Sequence, residues 1–208
     1  VRDGREIVVF GDFDADGVAA TAVMATALRR IGGAVEVFLP VREPEGYGLT
    51  FAALERCLGP GRRLPGVLVT VDCGIGAVAE IAWLREKGVE VIVTDHHEPG
   101  EQLPAADVIV NPRLGASPGA EYLCGAGVAF KVAHALAELG RAQGWYRGQA
   151  FGGELLAAVG VATVADIVPL VGENRVFVAG ALKHWSRWAG EGLRALLSRA
   201  LSQTVSEV

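Results

Sequence analysis

At 208 residues, 51% of them hydrophobic and 21% charged, the chain is long enough for one large domain and too apolar to stay disordered. A net charge of −5 does not announce nucleic-acid binding, although carboxylates gathered around cations distort such a count. The longest uncharged run, Gly17 to Leu28, falls short of the roughly 20 residues of a membrane helix, and no signal segment opens the chain.

The first strand is predicted over Glu6 to Phe10. A helix follows with apolar positions at Val18, Ala22, Ala25 and Ile31. Arg29 and Arg30 fall in its last turn, and Gly32-Gly33 stops it. A second strand, Val35 to Val41, leads into the turn-rich Pro44-Glu45-Gly46-Tyr47-Gly48. Leu49 to Leu58 reads as a helix ended by Gly59-Pro60-Gly61. Further strands are predicted over Val67 to Val71, Val89 to Thr94 and Asp107 to Val110, with a helix from Ala77 to Lys87 between the first two. Beyond Pro112 the pattern turns helical: Gly125 to Leu139, Glu154 to Val168 and Arg175 to Trp188. The expected fold is α/β, a doubly wound, mainly parallel five-stranded sheet over residues 1–112, continued by a helical segment over 113–208.

Three strand ends carry chemistry. Asp12-Phe13-Asp14-Ala15-Asp16-Gly17 follows the first strand, Asp72-Cys73-Gly74 the third, and Asp95-His96-His97 the fourth. Ligands of open α/β sheets bind beyond the carboxyl ends of the strands, so these groups converge on one rim suited to a metal site. An EF-hand loop beginning at Asp12 fails, because its last position falls on Val23 instead of a glutamate. The aspartates could also be read as helix N-caps, a role that Asp16 alone could fill. That leaves unexplained three mutually repelling carboxylates at alternate positions. Adjacent histidines at a strand end point different ways, so one can ligate a metal while the other faces substrate, with Asp95 orienting an imidazole. Asp166 lies in the apolar helix that begins Leu155-Leu156-Ala157 and is stopped by Pro169, where a buried carboxylate needs a partner or a cation.

Other features carry less. Gly125-Ala126-Gly127 lacks a preceding strand and reads as a tight helix start or a backbone anion site. His134 and His184 have no acidic cluster beside them and read as structural. Cys57, Cys73 and Cys124 show no Cys-x-x-Cys spacing, so neither a disulfide framework nor a zinc knuckle is expected and a reducing cytoplasm is the default. Val1 is not a start methionine and Ser202 to Val208 shows no closing cap, so the chain is expected to be part of a longer polypeptide.

Taken in order, Asp12-Phe13-Asp14-Ala15-Asp16-Gly17, Asp72, Asp95-His96-His97 and Asp166 resemble the four motifs of the DHH phosphoesterase superfamily, over a stretch from Glu6 to at least Val178. Within it the chain looks like the branch of single-strand-specific DNA exonucleases. The first motif begins with Asp12, where pyrophosphatases and nanoRNase-type members carry histidine. Arg42 with Glu45-Gly46-Tyr47-Gly48, and Ala165-Asp166-Ile167-Val168-Pro169-Leu170 followed by Gly172-Glu173-Asn174-Arg175, also resemble that branch.

The resemblance implies two divalent cations, Mn2+ or Mg2+, held by Asp14, Asp16, Asp72, His96 and Asp166, with Asp72 as the bridge. A histidine among oxygen ligands favours manganese. Asp12 would orient or deprotonate the attacking water and His97 would donate to the scissile phosphate. Arg42 is the candidate phosphate fork, and Tyr47 a candidate base-stacking residue or a packed turn residue. The implied activity is 5′→3′ degradation of single-stranded DNA in repair and recombination, by a cytoplasmic monomer with single-strand-binding protein or a helicase as partners. That branch adds a DHH-associated domain and an OB-type domain, neither of which this sequence contains. The alternative within the superfamily is a phosphodiesterase of short oligoribonucleotides or cyclic dinucleotides. A scaffold that has lost its metals would have no use for so many converging ligands.

Overall fold

Five short apolar runs lie side by side as parallel strands in the order β2-β1-β3-β4-β5: β1 (Glu6–Phe10), β2 (Ala34–Phe38), β3 (Val67–Val71), β4 (Glu90–Thr94) and β5 (Val108–Val110). The structure, a computed structural model, describes residues 1, 3–59, 61, 63–115, 118–149 and 151–205, and only backbone beyond Ala200. Pro60 of the predicted helix stop and residues 206–208 lie outside these. β-Branched side chains, stiff about χ1 and suited to a pleated surface, explain why these runs are extended.

Alternation along the strands splits the interior in two. Ile7, Val9, Val69 and Val71 face a core shared with the helices α1 (Ala15–Arg30), α5 (Gly125–Ala142) and α6 (Glu154–Ala165). Val8, Phe10, Leu68, Val91 and Val93 face the opposite core, closed by α3 (Phe51–Leu58) and α4 (Val78–Glu86). Burying each such side chain contributes about 1.5–3 kcal/mol, and helices on both faces are what a doubly wound parallel sheet requires. The helical continuation is not a separate layer, since α5 and α6 complete the first core against α1.

Boundaries shift where local signals were weak. β2 ends at Phe38, before Val41, and the chain then makes a single turn, α2 (Arg42–Glu45), interrupted at the extended Glu43. The helix expected over Arg175 to Trp188 is two, α7 (Gly172–Lys183) and α8 (Trp185–Trp188), separated at His184 (φ −115°, ψ 19°). A final helix, α9 (Glu191–Val205), was not anticipated; Leu196 lies 68% exposed on it. Among the described residues no helix is long and apolar enough to cross a membrane.

Candidate metal centre

The connections leave β1 toward β2 on one side and β3 on the other, so the crevice of this sheet lies at the carboxyl ends of β1 and β3. Every predicted ligand cluster reaches that rim. Asp12 follows β1 after Gly11, Asp72 follows β3 directly, and His96 and His97 follow β4. Asp72 adopts a left-handed backbone (φ 61°), uncommon outside glycine but tolerated by aspartate, while its amide still donates to Thr94 O at 3.0 Å. The strand thus stays registered to its last residue while its side chain turns into the crevice.

His96 occupies the centre. Its Nε2 lies 3.1 Å from Asp72 Oδ1, 3.7 Å from Asp16 Oδ2 and 3.8 Å from Asp166 Oδ2. Ligand atoms fall into two groups that share His96, namely Asp16-His96-Asp166 and Asp72-His96-His97, each with its atoms within 4.8 Å of one another. Among the described residues, His96 is the only base within ion-pair distance of these three carboxylates. Both His96 Nε2 and Asp72 Oδ1 are buried without a hydrogen bond, despite being neighbours. Orphaned buried polar atoms cost about 1–3 kcal/mol each, and a cation that took both as ligands would satisfy them. Burial, followed by the charges of Asp16 and Asp14, pushes the Asp72 carboxyl up to about 10. A bound divalent ion would reverse that. The donor set of carboxylates and imidazole suits Mn2+ or Mg2+.

Asp16 is positioned by a helix far away in sequence. Its two oxygens accept from the amides of Gly125 (2.6 Å) and Ala126 (2.8 Å), the first residues of α5. The expected backbone anion site therefore exists, and its anion is the protein's own carboxylate. A side chain at position 125 would place Cβ 2.4 Å from Asp72 Oδ1, which explains the glycine. Gly125→Ala is accordingly expected to displace Asp72 and weaken Mn2+ affinity about 10- to 100-fold, the usual range for groups that support ligands. Calorimetric titration of Mn2+ checks it, and unchanged affinity would show that the crevice can spread around the methyl.

Two sequence expectations need correction. The N-cap of α1 is Asp14, whose Oδ1 accepts from Gly17 N at 2.9 Å; Asp16 lies inside the first turn. Asp14 is exposed and falls in neither ligand group, although its charge acts on Asp12, Asp72 and Asp166. Asp166 is not buried in its helix: it is the C-cap residue of α6, its side chain 23% exposed. A carboxylate at a helix C-terminus is itself unfavourable, so the need for a cation persists on different grounds. His134 and His184 lie on α5 and between α7 and α8, against Phe130 and Trp188 respectively, outside both ligand groups.

Beside the cluster opens a cavity of about 450 Å³ lined by Asp12, Tyr47, Asp72, Glu80 and His97. Burial, opposed by the Phe13 amide and reinforced by the Asp14 charge, holds the Asp12 carboxyl above its ordinary value. Asp95 accepts from His97 Nδ1 at 2.7 Å, and that hydrogen bond raises the His97 pKa. For Asp95 itself burial pulls upward, but the hydrogen bonds from His97 and the Ile75 amide outweigh it and the carboxyl stays low. The His97 ring, 55% exposed, keeps Nε2 free to face the cavity. At the mouth, Tyr47 is 65% exposed; its ring lies 5.2 Å from Phe13, and the Arg42 guanidinium donates to its hydroxyl at 2.6 Å.

Comparison with known proteins follows the same residues. The model of the DHH family, N-terminal domain, matches residues 6–161. The single-stranded-DNA-specific exonuclease RecJ of Dickeya dadantii is 42% identical over 207 residues, covering 95% of this chain and 35% of the relative. The RecJ of Bacillus subtilis is 40% identical over 201 residues, covering 95% and 23% respectively. The crystal structure of an exonuclease RecJ bound to manganese superposes with a TM-score of 0.82 at 38% identity, over 96% of this chain and 48% of that one. The chain thus spans about a third or less of the length of these two curated relatives.

Proposed function

The chain belongs to the DHH family, and from that premise we propose that it is the catalytic module of a metal-dependent exonuclease that degrades single-stranded DNA from the 5′ end, as its similarity to RecJ suggests. The observation that carries this reading is the pair of orphaned buried atoms, His96 Nε2 and Asp72 Oδ1, within a carboxylate cluster that opens onto a cavity holding Asp12 and His97. Asp14, Asp16, Asp72, His96 and Asp166 are the residues that would hold two Mn2+ or Mg2+ ions. When bound, such ions stabilise developing charge on phosphate oxygens and favour an ionised water.

The remaining steps belong to side chains. Asp12, with its carboxyl above the ordinary range, takes the proton of the attacking water. His97, whose protonated form Asp95 favours, donates from Nε2 to the scissile phosphate as charge builds there. Tyr47 and Phe13 offer aromatic faces to an unpaired base, and Arg42 between them reaches a backbone phosphate. Single-strand-binding protein or a helicase as partners, and action as a monomer in the cytoplasm, are proposed on the family kinship alone.

Assaying labelled single-stranded DNA against dinucleotides, with and without Mn2+, tests the assignment. Mn2+-dependent shortening of DNA with dinucleotides spared supports it; turnover of dinucleotides alone reassigns the chain to small substrates. Arg42→Ala is expected to weaken DNA binding roughly tenfold and to flatten the salt dependence by about one phosphate contact, with Mn2+ content unchanged. A salt titration with an unaltered slope would reduce Arg42 to a support for Tyr47.

A further inference from the structure

The two histidines of the site are neighbours with unlike tasks, and something must keep their rings apart in role. His96 points at the carboxylates, His97 at the cavity, and their rings lie 4.4 Å apart, tilted by 50°. Rotation of the peptide joining them would exchange or blur those directions. We propose that Asn111 and Arg113, at the end of β5, are positioning residues that lock this dipeptide and so fix which histidine serves the metals and which serves the substrate. The proposal rests on the metal-centre reading above and extends it to residues that touch neither metals nor substrate.

Every main-chain polar group of the dipeptide is held. The amides of His96 and His97 both donate to Asp95 Oδ1, at 2.7 and 3.1 Å. From the other side, Arg113 Nε donates to His96 O at 2.7 Å and Asn111 Nδ2 donates to His97 O at 2.9 Å. The lock is itself braced. Asn111 is 7% exposed, and its Oδ1 accepts from Arg113 N at 2.9 Å; Arg113 Nη1 reaches Glu98 Oε2 at 2.8 Å. Asp95 N accepts its place in the same frame by donating to Val110 O at 3.0 Å, so β5 sets the height of the whole segment. Neither Asn111 nor Arg113 belongs to a ligand group or lines the cavity; both reach the site through the histidine main chain, and Arg113 also through Glu98, which does line the cavity. Residues that orient ligands from behind typically contribute 10- to 100-fold to metal affinity or activity.

The test uses Asn111→Ala, Asn111→Asp and Arg113→Ala in the intact protein, with Mn2+ affinity by calorimetry, cleavage kcat and KM, and far-UV circular dichroism. Asn111→Asp is the discriminating variant: it keeps shape and the acceptor for Arg113 N but sets an oxygen against His97 O. The expected result is a native spectrum, Mn2+ affinity lowered about tenfold or more, and kcat lowered in step with KM within about twofold, for all three. Mn2+ affinity and kcat within about twofold of the parent in Asn111→Asp or Arg113→Ala overturns the lock, even if melting temperature falls. Should Asn111→Ala fail to fold, Arg113→Ala decides, since its side chain is 39% exposed. A parent protein that binds Mn2+ but cleaves no DNA overturns the proposed function instead, and the affinity arm still judges the lock. A parent that binds no Mn2+ overturns both.

Discussion

Asp72→Ala is expected to abolish Mn2+ binding and hydrolysis together, and excess chelator is expected to do the same to the unmodified protein until Mn2+ is restored. Asp72 is the carboxylate nearest His96 Nε2, and its orphaned Oδ1 completes one of the two ligand groups. Without it the Asp16-His96-Asp166 group keeps its three ligand atoms, but the adjoining Asp72-His96-His97 group loses its carboxylate and with it the charge that holds a second cation. Calorimetry and cleavage of labelled single-stranded DNA check both halves. Turnover that persists in excess chelator would sink the cation mechanism outright.

Stability provides an independent readout with the opposite sign. In the metal-free protein Asp72 is raised from 3.8 to about 10, and Asp12 and Asp166 are raised as well, in each case first by burial. A carboxyl with a raised folded-state pKa binds more protons folded than unfolded, so metal-free stability falls as pH climbs above the unfolded value of 3.8. Mn2+ removes that penalty, and saturation at about 100 Kd stabilises by about 2.7 kcal/mol, or roughly 5–10 °C for a chain of this size. The gap between metal-free and loaded melting temperatures should therefore widen from pH 5 to pH 8. Asp72→Ala should close it, leaving a variant no less stable than the metal-free parent. A parent whose melting temperature ignores Mn2+ at both pH values would leave the clustered carboxylates without a reason.

The parts of this site legible in the sequence were those produced by short-range pattern. Apolar β-branched runs predict strands, and a parallel sheet brings their carboxyl ends to one rim; Asp12, Asp72 and His96 could be placed together on that logic alone. What escaped was long-range. Asp16 is held by amides 109 and 110 residues away, and nothing local at Gly125-Ala126 states which anion they meet. Asn111 and Arg113 were not singled out, because a side chain that grips a distant carbonyl leaves no periodic trace. The N-cap at Asp14 is a different kind of miss. Asp14 and Asp16 are both good capping residues, and only the helix start at Ala15 separates them.

His97→Ala is expected to lower kcat about 10²- to 10³-fold, the effect of deleting a donor that acts on developing charge, while Mn2+ affinity changes far less. His96→Ala should do the reverse and strip the metals. The contrast follows from burial and partners: His96 Nε2 sits unpaired among three carboxylates, whereas His97 is 55% exposed with Nδ1 engaged by Asp95. Geometry also supplies the rival, because His97 lies within ligand distance of Asp72 and His96. If His97→Ala releases Mn2+, that grouping describes the bound state and the two histidines share the metals. The pH profile separates the cases further. Asp95 raises the His97 pKa, so the protonated donor persists to higher pH than on a free imidazole and activity fades as pH rises past that raised value. Asp95→Asn removes the charge partner, lowers the His97 pKa and should shift the alkaline limb of kcat toward neutral pH. An alkaline limb that stays in place in Asp95→Asn, yet disappears in Asp12→Asn, would move the titrating role from the imidazole to the carboxyl beside it.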